Sequence, residues 1–190
     1  MADDAGTTAD IVILGGGSGG YACALRASQL GLSVILIDKD KLGGTCLHRG
    51  CIPTKALLHA AEVADTTREA EAFGVHATLN GIDMAKVNAY RDGVVGRLYK
   101  GLQGLVKSRD VTFVEGTGRV VGPNAVEVNG TTYRGRAIVL ATGSYARSLP
   151  GLAISGRIMT SDQALDLDYV PRRAIVLGGG VIGVEFASIW

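Results

Sequence analysis

Two cysteines five positions apart, Cys46 and Cys51 in the run GGTCLHRGCIPTK, are the side chains of this sequence best suited to chemistry. Only one other cysteine occurs in the 190 residues, and a close pair in an otherwise cysteine-poor chain reads as redox-active rather than structural. Regular helix between them would separate the Cα atoms by a rise of about 7.5 Å, more than the roughly 7 Å a disulfide can span. A bridge therefore requires distorted backbone. Gly50 relaxes the chain there and Pro53 removes an amide donor that regular helix would need. Thr45 is a candidate N-cap, which places Cys46 in a first helical turn. There the helix dipole and free amides favour a thiolate, the attacking species of disulfide exchange.

Two other readings of the pair stay open. His48 lies between the cysteines, but two sulfurs and one imidazole in six residues match no usual zinc spacing and lack a fourth ligand, so no metal site is expected. Two inert buried thiols are the plainer alternative, and that is the reading for Cys23, which lies among alanines and leucines.

The elements that must hold these residues are announced by glycine. Ile11 to Gly20, IVILGGGSGG, and Ala174 to Gly183, AIVLGGGVIG, repeat one design 163 residues apart. Each is a short apolar run, then G-x-G-x-x-G, then small residues at helical spacing, which predicts a strand-to-helix turn. In the first copy Gly15 permits the tight turn, Gly17 lets backbone approach a pyrophosphate, and Gly20 lets helix pack on strand. Helix Tyr21 to Leu30, ended by Gly31, and strand Val34 to Ile37 complete a βαβ unit. Asp38 follows Gly20 by 18 residues, near the spacing of about 20 at which an acid meets an adenosine ribose.

Further along, residues 52–72 read as largely helical and 82–106 as a long amphipathic helix with Val87, Val94, Leu98, Leu102 and Leu105 on one side. Gly93, Gly96, Gly101 and Gly104 weaken it by propensity. Period-two patterning from Val111 to Thr142, with turns at Gly122-Pro123-Asn124 and Asn129-Gly130, predicts an antiparallel meander ending in the strand Ala137 to Ala141. A polar connector runs from Pro150 to Asp168.

Composition narrows the partners. Nineteen basic residues against 18 acidic give a net charge of +1, too weak a field for nucleic acid or an anionic membrane. Hydrophobic residues are 47% and charged residues 19%, a globular balance with no apolar run approaching a membrane span. Residues 1–10 are polar and acidic, without the features of a secretory or transit peptide, and a cytoplasmic protein is expected.

Gly43-Gly44-Thr45-Cys46, followed by Gly50-Cys51-Ile52-Pro53-Thr54-Lys55, resembles the active-site signature of the flavin-dependent pyridine nucleotide-disulfide oxidoreductases. The match extends in family order through both glycine fingerprints, the meander and Ala141-Thr142-Gly143, and is best for the dihydrolipoamide dehydrogenase branch. The resemblance implies an α/β fold: a Rossmann-like FAD-binding domain, residues 1–150, with a parallel sheet and an inserted antiparallel meander. The start of a second Rossmann-like, NAD-binding domain would follow at residues 151–190. It also implies that FAD meets Gly15, Gly17, Ser18, Gly20, Asp38, Lys39, Gly44, Thr45, Lys55, Gly118, Thr142, Gly143 and Ser144, and that NAD meets Gly178, Gly180 and Gly183.

Cys46 would be the sulfur that exchanges with a dihydrolipoyl dithiol, Cys51 the sulfur against the flavin, and Lys55 the neighbour of the reactive flavin nitrogen, paired with Glu185. The implied partners are dihydrolipoamide, the lipoyl-bearing acyltransferase of a 2-oxoacid dehydrogenase complex, and a second copy in a homodimer. The sequence departs from the family at His48-Arg49, where Asn-Val or a similar pair is usual; these two potential cations bear on thiol acidity and leave substrate identity open. A glutathione or mercuric ion reductase using NADPH is the alternative within this class. Another class is also expected from the second unit, which reaches Trp190 before a second strand: a nucleotide-binding fragment without turnover, its Phe186, Ile189 and Trp190 uncovered. His59 and His76 read as ordinary helix and loop residues.

Overall fold

A computed structural model describes residues 7–190; the first six residues of the acidic N-terminus lie outside it. Two compact units interleave along the chain, the first built from residues 1–48 and 97–145 and the second from 49–96 and 146–190.

The first unit is a sheet with helical cover. Strand β1 (Thr8–Leu14) pairs in parallel with β2 (Val34–Asp38) and with β6 (Thr131–Leu140), while β2 pairs in parallel with β3 (Thr112–Glu115). The strands β4 (Arg119–Gly122) and β5 (Ala125–Val128) extend the same sheet antiparallel from β6, giving the order β3-β2-β1-β6-β5-β4. β6 therefore serves both parts, its first residues on β5 and its later ones on β1. The period-two pattern had placed Val111 onward wholly in a meander, whereas β3 belongs to the parallel part. Alternation shows that a strand has two faces; it does not select the neighbour that satisfies its amides.

Alternate residues of β1 and β2 supply two apolar faces. Ile13, Val34 and Leu36 pack with Ala24 and Ala27 of α1 (Ser18–Gln29), and Val106 joins them. On the other face Val12, Ile35 and Ile37 are covered by Val126 and Val128 of β5. Helix α1 presents Gly20, Ala24 and Ala27 inward at spacings of four and three, so small residues bring it close to the strands. It ends at Gly31, whose φ of 79° closes the turn, with Gly31 N–H donating to the Ser28 carbonyl at 2.9 Å.

The second unit is helical: all of α3 (Cys51–Glu69), the first half of α4 (Met84–Ser108), α5 (Ser161–Leu165) and α6 (Val181–Ile189). Leu57, Ala164, Leu165 and Phe186 form its core, with Val87, Met159, Ile189 and Trp190 packed around them. The end of α6 thus has a cover, contrary to expectation, because the connector supplies one: α5 interrupts it and buries Ala164 and Leu165. Its signal was legible as a capping box. Gln163 Oε1 accepts from the Thr160 amide at 2.8 Å and hydroxyl at 2.5 Å.

Helix α4 forms despite its four glycines, and its packed stripe differs from expectation. Tyr99, Leu102 and Val106 meet the sheet's core, whereas Leu98 and Leu105 are 44% and 42% exposed. The spacing of 99, 102 and 106 follows the helical repeat, and Leu98 and Leu105 fall one position off that stripe. The second apolar run also differs. Residues 174–177 form no strand, and Ile175 is 97% exposed, because no strand among the described residues of that unit pairs with it.

Candidate functional site

The parallel strands of the first unit all end at one edge. Leu14 is in register with Ile37 and with Leu140, and Asp38 with Glu115, so the residues that follow β1, β2 and β6 emerge together. Ligands of open α/β sheets bind at this carboxyl edge.

The glycines there answer to different constraints. Gly15 has φ 110°, and a Cβ on it would overlap the Ala141 carbonyl, so the turn presses directly on the end of β6. A Cβ on Gly20 would overlap the Gly15 carbonyl, which is the helix-on-strand contact. Gly17, the N-cap of α1 with extended ψ, is the exception: a Cβ there would meet only the Gly44 Cα, at an ordinary 3.8 Å. Packing within the protein does not require glycine at 17. Its bare backbone at a helix N-terminus leaves the opening a pyrophosphate needs, and the residues present fit a dinucleotide.

Asp38 closes the turn from the side. Its Oδ2 accepts from the Gly16 amide and its Oδ1 from the Asp40 amide at 2.9 Å, which fixes the carboxylate at the strand edge. Each oxygen retains a lone pair for a further donor. Lys39 follows as an exposed side chain, and Ser18 is exposed at the start of α1. Thr142, Gly143 and Ser144 are exposed coil beyond β6, with Gly143 at φ 75°. A Cβ on Gly118 would overlap Leu14 and lie 3.2 Å from Ile37 Cγ2, so packing inside the unit already accounts for that glycine.

Helix α2 (Gly44–Arg49) carries Cys46 and is tied to the same turn. Gly43 N–H donates to the Gly16 carbonyl at 2.9 Å, and a Cβ on Gly44 would overlap the Gly17 Cα. Cys46 therefore sits two residues from backbone pressed on the glycine turn, half-buried in a first helical turn. Thr45 lies inside that turn rather than before it, because positive φ at Gly43 and Gly44 starts the helix earlier than a threonine cap would. His48 bends back: its Nε2 donates to the Leu42 carbonyl at 2.8 Å and its ring stands edge-on to Tyr99, centroids 5.1 Å apart. No spacing rule joins residues 42, 48 and 99, so this bracket on α2 was invisible in the sequence.

The helix breaks at Gly50, whose φ of −147° and ψ of −114° leave the helical region, and α3 restarts with Cys51, an exposed thiol at its first residue. The distortion expected between the cysteines is present. Thr54 donates its hydroxyl to the Gly50 carbonyl at 2.6 Å and stabilises the restart. Lys55 lies one turn beyond Cys51 and its Nζ donates to Glu185 Oε1 on α6, within the second unit. The second fingerprint there copies the first turn, with Gly178 at φ 112°, Gly180 as N-cap, and Gly183 crowded by the Gly178 carbonyl.

A profile of the pyridine nucleotide-disulphide oxidoreductases matches residues 9–190. The chain belongs to this family. Dihydrolipoyl dehydrogenase of Bacillus subtilis (strain 168) is 45% identical over 96% of the chain and 42% of its own length. The protein of that name from Thermus scotoductus is 42% identical over 96% of the chain and 40% of its own length. Dihydrolipoyl dehydrogenase 1, mitochondrial, of Arabidopsis thaliana is 43% identical over 95% of the chain and 37% of its own length. The chain thus spans about two-fifths of the length of these curated relatives. Membership fits a glycine turn at the sheet's carboxyl edge beside a helix carrying a cysteine. No helix among the described residues is long and apolar enough to cross a membrane.

Proposed function

We propose that this chain is the FAD-binding and redox-disulfide part of a dihydrolipoyl dehydrogenase. Residues 1–150 form the FAD-binding segment and 151–190 begin an NAD-binding domain. What supports the reading is that relatives of that name match the chain at 41–45% identity across nearly all of it. The protein is proposed to work in the cytoplasm as a homodimer, on dihydrolipoamide carried by the acyltransferase of a 2-oxoacid dehydrogenase complex.

In this reading Gly15, Gly17, Ser18 and Gly20 present helix-terminal amides to the FAD pyrophosphate, and Asp38 takes hydrogen bonds from the ribose beside Lys39. Gly44, Thr45, Gly118, Thr142, Gly143 and Ser144 line the remaining approach. Gly178, Gly180 and Gly183 do for the nicotinamide dinucleotide what the first turn does for FAD.

The chain's own chemistry is disulfide exchange. A substrate thiolate attacks the Cys46 sulfur, the Cys46–Cys51 bond breaks, and Cys51 leaves as thiolate. The second substrate thiol, losing its proton, attacks the substrate sulfur of the mixed disulfide; Cys46 leaves as thiolate and the substrate closes to its cyclic disulfide. Two electrons now reside on the cysteine pair. FAD, when bound, supplies the two-electron relay from that pair to NAD. Lys55, which pairs with Glu185, would be the cation at the reactive flavin nitrogen when FAD is bound.

Anaerobic titration of the FAD-loaded protein with dihydrolipoamide tests this. The expected result is loss of the oxidised flavin absorbance in proportion to dithiol, abolished in Cys46→Ser and in Cys51→Ser. A flavin-loaded protein that keeps its oxidised spectrum would overturn the reading.

A further inference from the structure

Arg91 is the one charged residue buried among the described residues, 8% exposed, and nothing in the proposed chemistry uses it. A guanidinium keeps its charge at any working pH, so burial has to be offset by partners. The partners are specific. Nη1 donates to the Leu165 carbonyl at the C-terminal end of α5 and lies 3.3 Å from Asp166 Oδ1, while Nε meets Asp92 Oδ1 at 2.9 Å. One turn earlier on α4, Asn88 Nδ2 donates to the Leu167 carbonyl at 3.0 Å; its Oδ1 is buried with no partner among the described residues. Two side chains of α4 thereby grip three consecutive residues, 165 to 167, at and just beyond the end of α5.

What is gripped bears on the Lys55 pair. Ala164 and Leu165 of α5 pack with Leu57 of α3 and Phe186 of α6 in one core cluster, all within the second unit. Phe186 adjoins Glu185, and Leu57 is two residues from Lys55. The side chains of the pair are 56% exposed at Lys55 and 19% at Glu185, and a pair open to water at one end contributes about 0–1 kcal/mol, too little to position a helix.

We infer that Arg91, with Asn88, is a positioning residue: by holding the end of α5 it seats Phe186 and keeps the Glu185 carboxylate on Lys55. The role assigned to that pair rests on the proposed function; the positioning itself does not.

The test reads the 15Nζ ammonium resonance of Lys55 in the purified protein, with Glu185→Gln marking where the signal falls when the pair is broken. In Arg91→Met, which keeps the length of the stem and removes the guanidinium, the resonance is expected to move most of the way to the Glu185→Gln position. Arg91→Lys, which retains the charge without the fork, is expected to move it less. Asn88→Ala is expected to give a smaller shift in the same direction and decides the matter if Arg91→Met does not fold. A merely structural arginine would lower stability and leave the resonance in place, so a folded variant with an unmoved Lys55 signal overturns the inference. So does a parent signal that Glu185→Gln does not change. If the shifts follow Arg91 while dihydrolipoamide fails to reduce the flavin, the functional reading falls and the positioning stands.

Discussion

The two glycine turns of this chain have nearly the same backbone and opposite surroundings. Gly15 and Gly178 share φ values of 110° and 112°, and the N-caps Gly17 and Gly180 differ by 2° in φ. Yet the run before the first turn is β1, with Ile13 at 0% exposure between two parallel neighbours, while Ile175 before the second is 97% exposed and unpaired. The turn is thus a local property of its glycines, set by allowed φ and the helix that follows. A strand is a property of its neighbours, since its amides and carbonyls need another chain segment.

Substitutions at matched positions should separate the two regions. The largest effect is expected at Gly15→Ala, where strain at positive φ adds to overlap with the Ala141 carbonyl; a loss above about 4 kcal/mol, or no folding, should appear in urea denaturation. Gly178→Ala meets the same φ with nothing within 4 Å, and only the strain remains, about 1–3 kcal/mol. Equal losses at both sites would break the comparison.

Next in size, Ile13→Ala should cost about 2–5 kcal/mol and Ile175→Ala within about 0.5 kcal/mol, measured the same way. A large cost at Ile175 would mean that its run is buried in solution. Gly17→Ala should change stability by less than about 1 kcal/mol, because its Cβ meets only ordinary contact, yet it should abolish FAD binding followed by flavin fluorescence. Retained FAD affinity would remove the phosphate role of that turn.

The smallest effect concerns acid. Asp10 at the start of β1 has its pKa lowered from 3.8, first by the Ser33 amide, then by the Ser33 hydroxyl and Arg136. A folded pKa below the unfolded one gives stability that is present above about pH 4 and lost as pH falls through the folded value. Measured against intrinsic rates, amide protection in β1 should therefore fall slightly as pH drops below about 4, and Asp10→Asn should remove that pH dependence. The second run, with no such carboxylate, should not share it.

Much of the site was legible because its signals are short-range. The spacing from Gly20 to Asp38, the cap at Gly31 and the break at Gly50 each follow from a few neighbouring residues, and the structure has all three. Thr45 as a cap failed because two glycines before it took positive φ first. Helix α5 was legible in Thr160 and Gln163 but masked by the polar residues around it. The His48 bracket and the Arg91 grip were not legible, since a ring contact from residue 48 to 99 and side-chain hydrogen bonds from 88 and 91 to 167 and 165 follow no periodicity.

By itself the sequence determined where the chain must turn and where a thiol meets a helix start, because glycine conformations and helix ends are settled within a few residues. Only the tertiary structure decided which apolar runs became strands and which partner β3 took. Those outcomes depend on which surfaces remain to be buried once every local choice has been made, and that competition is resolved by the whole fold.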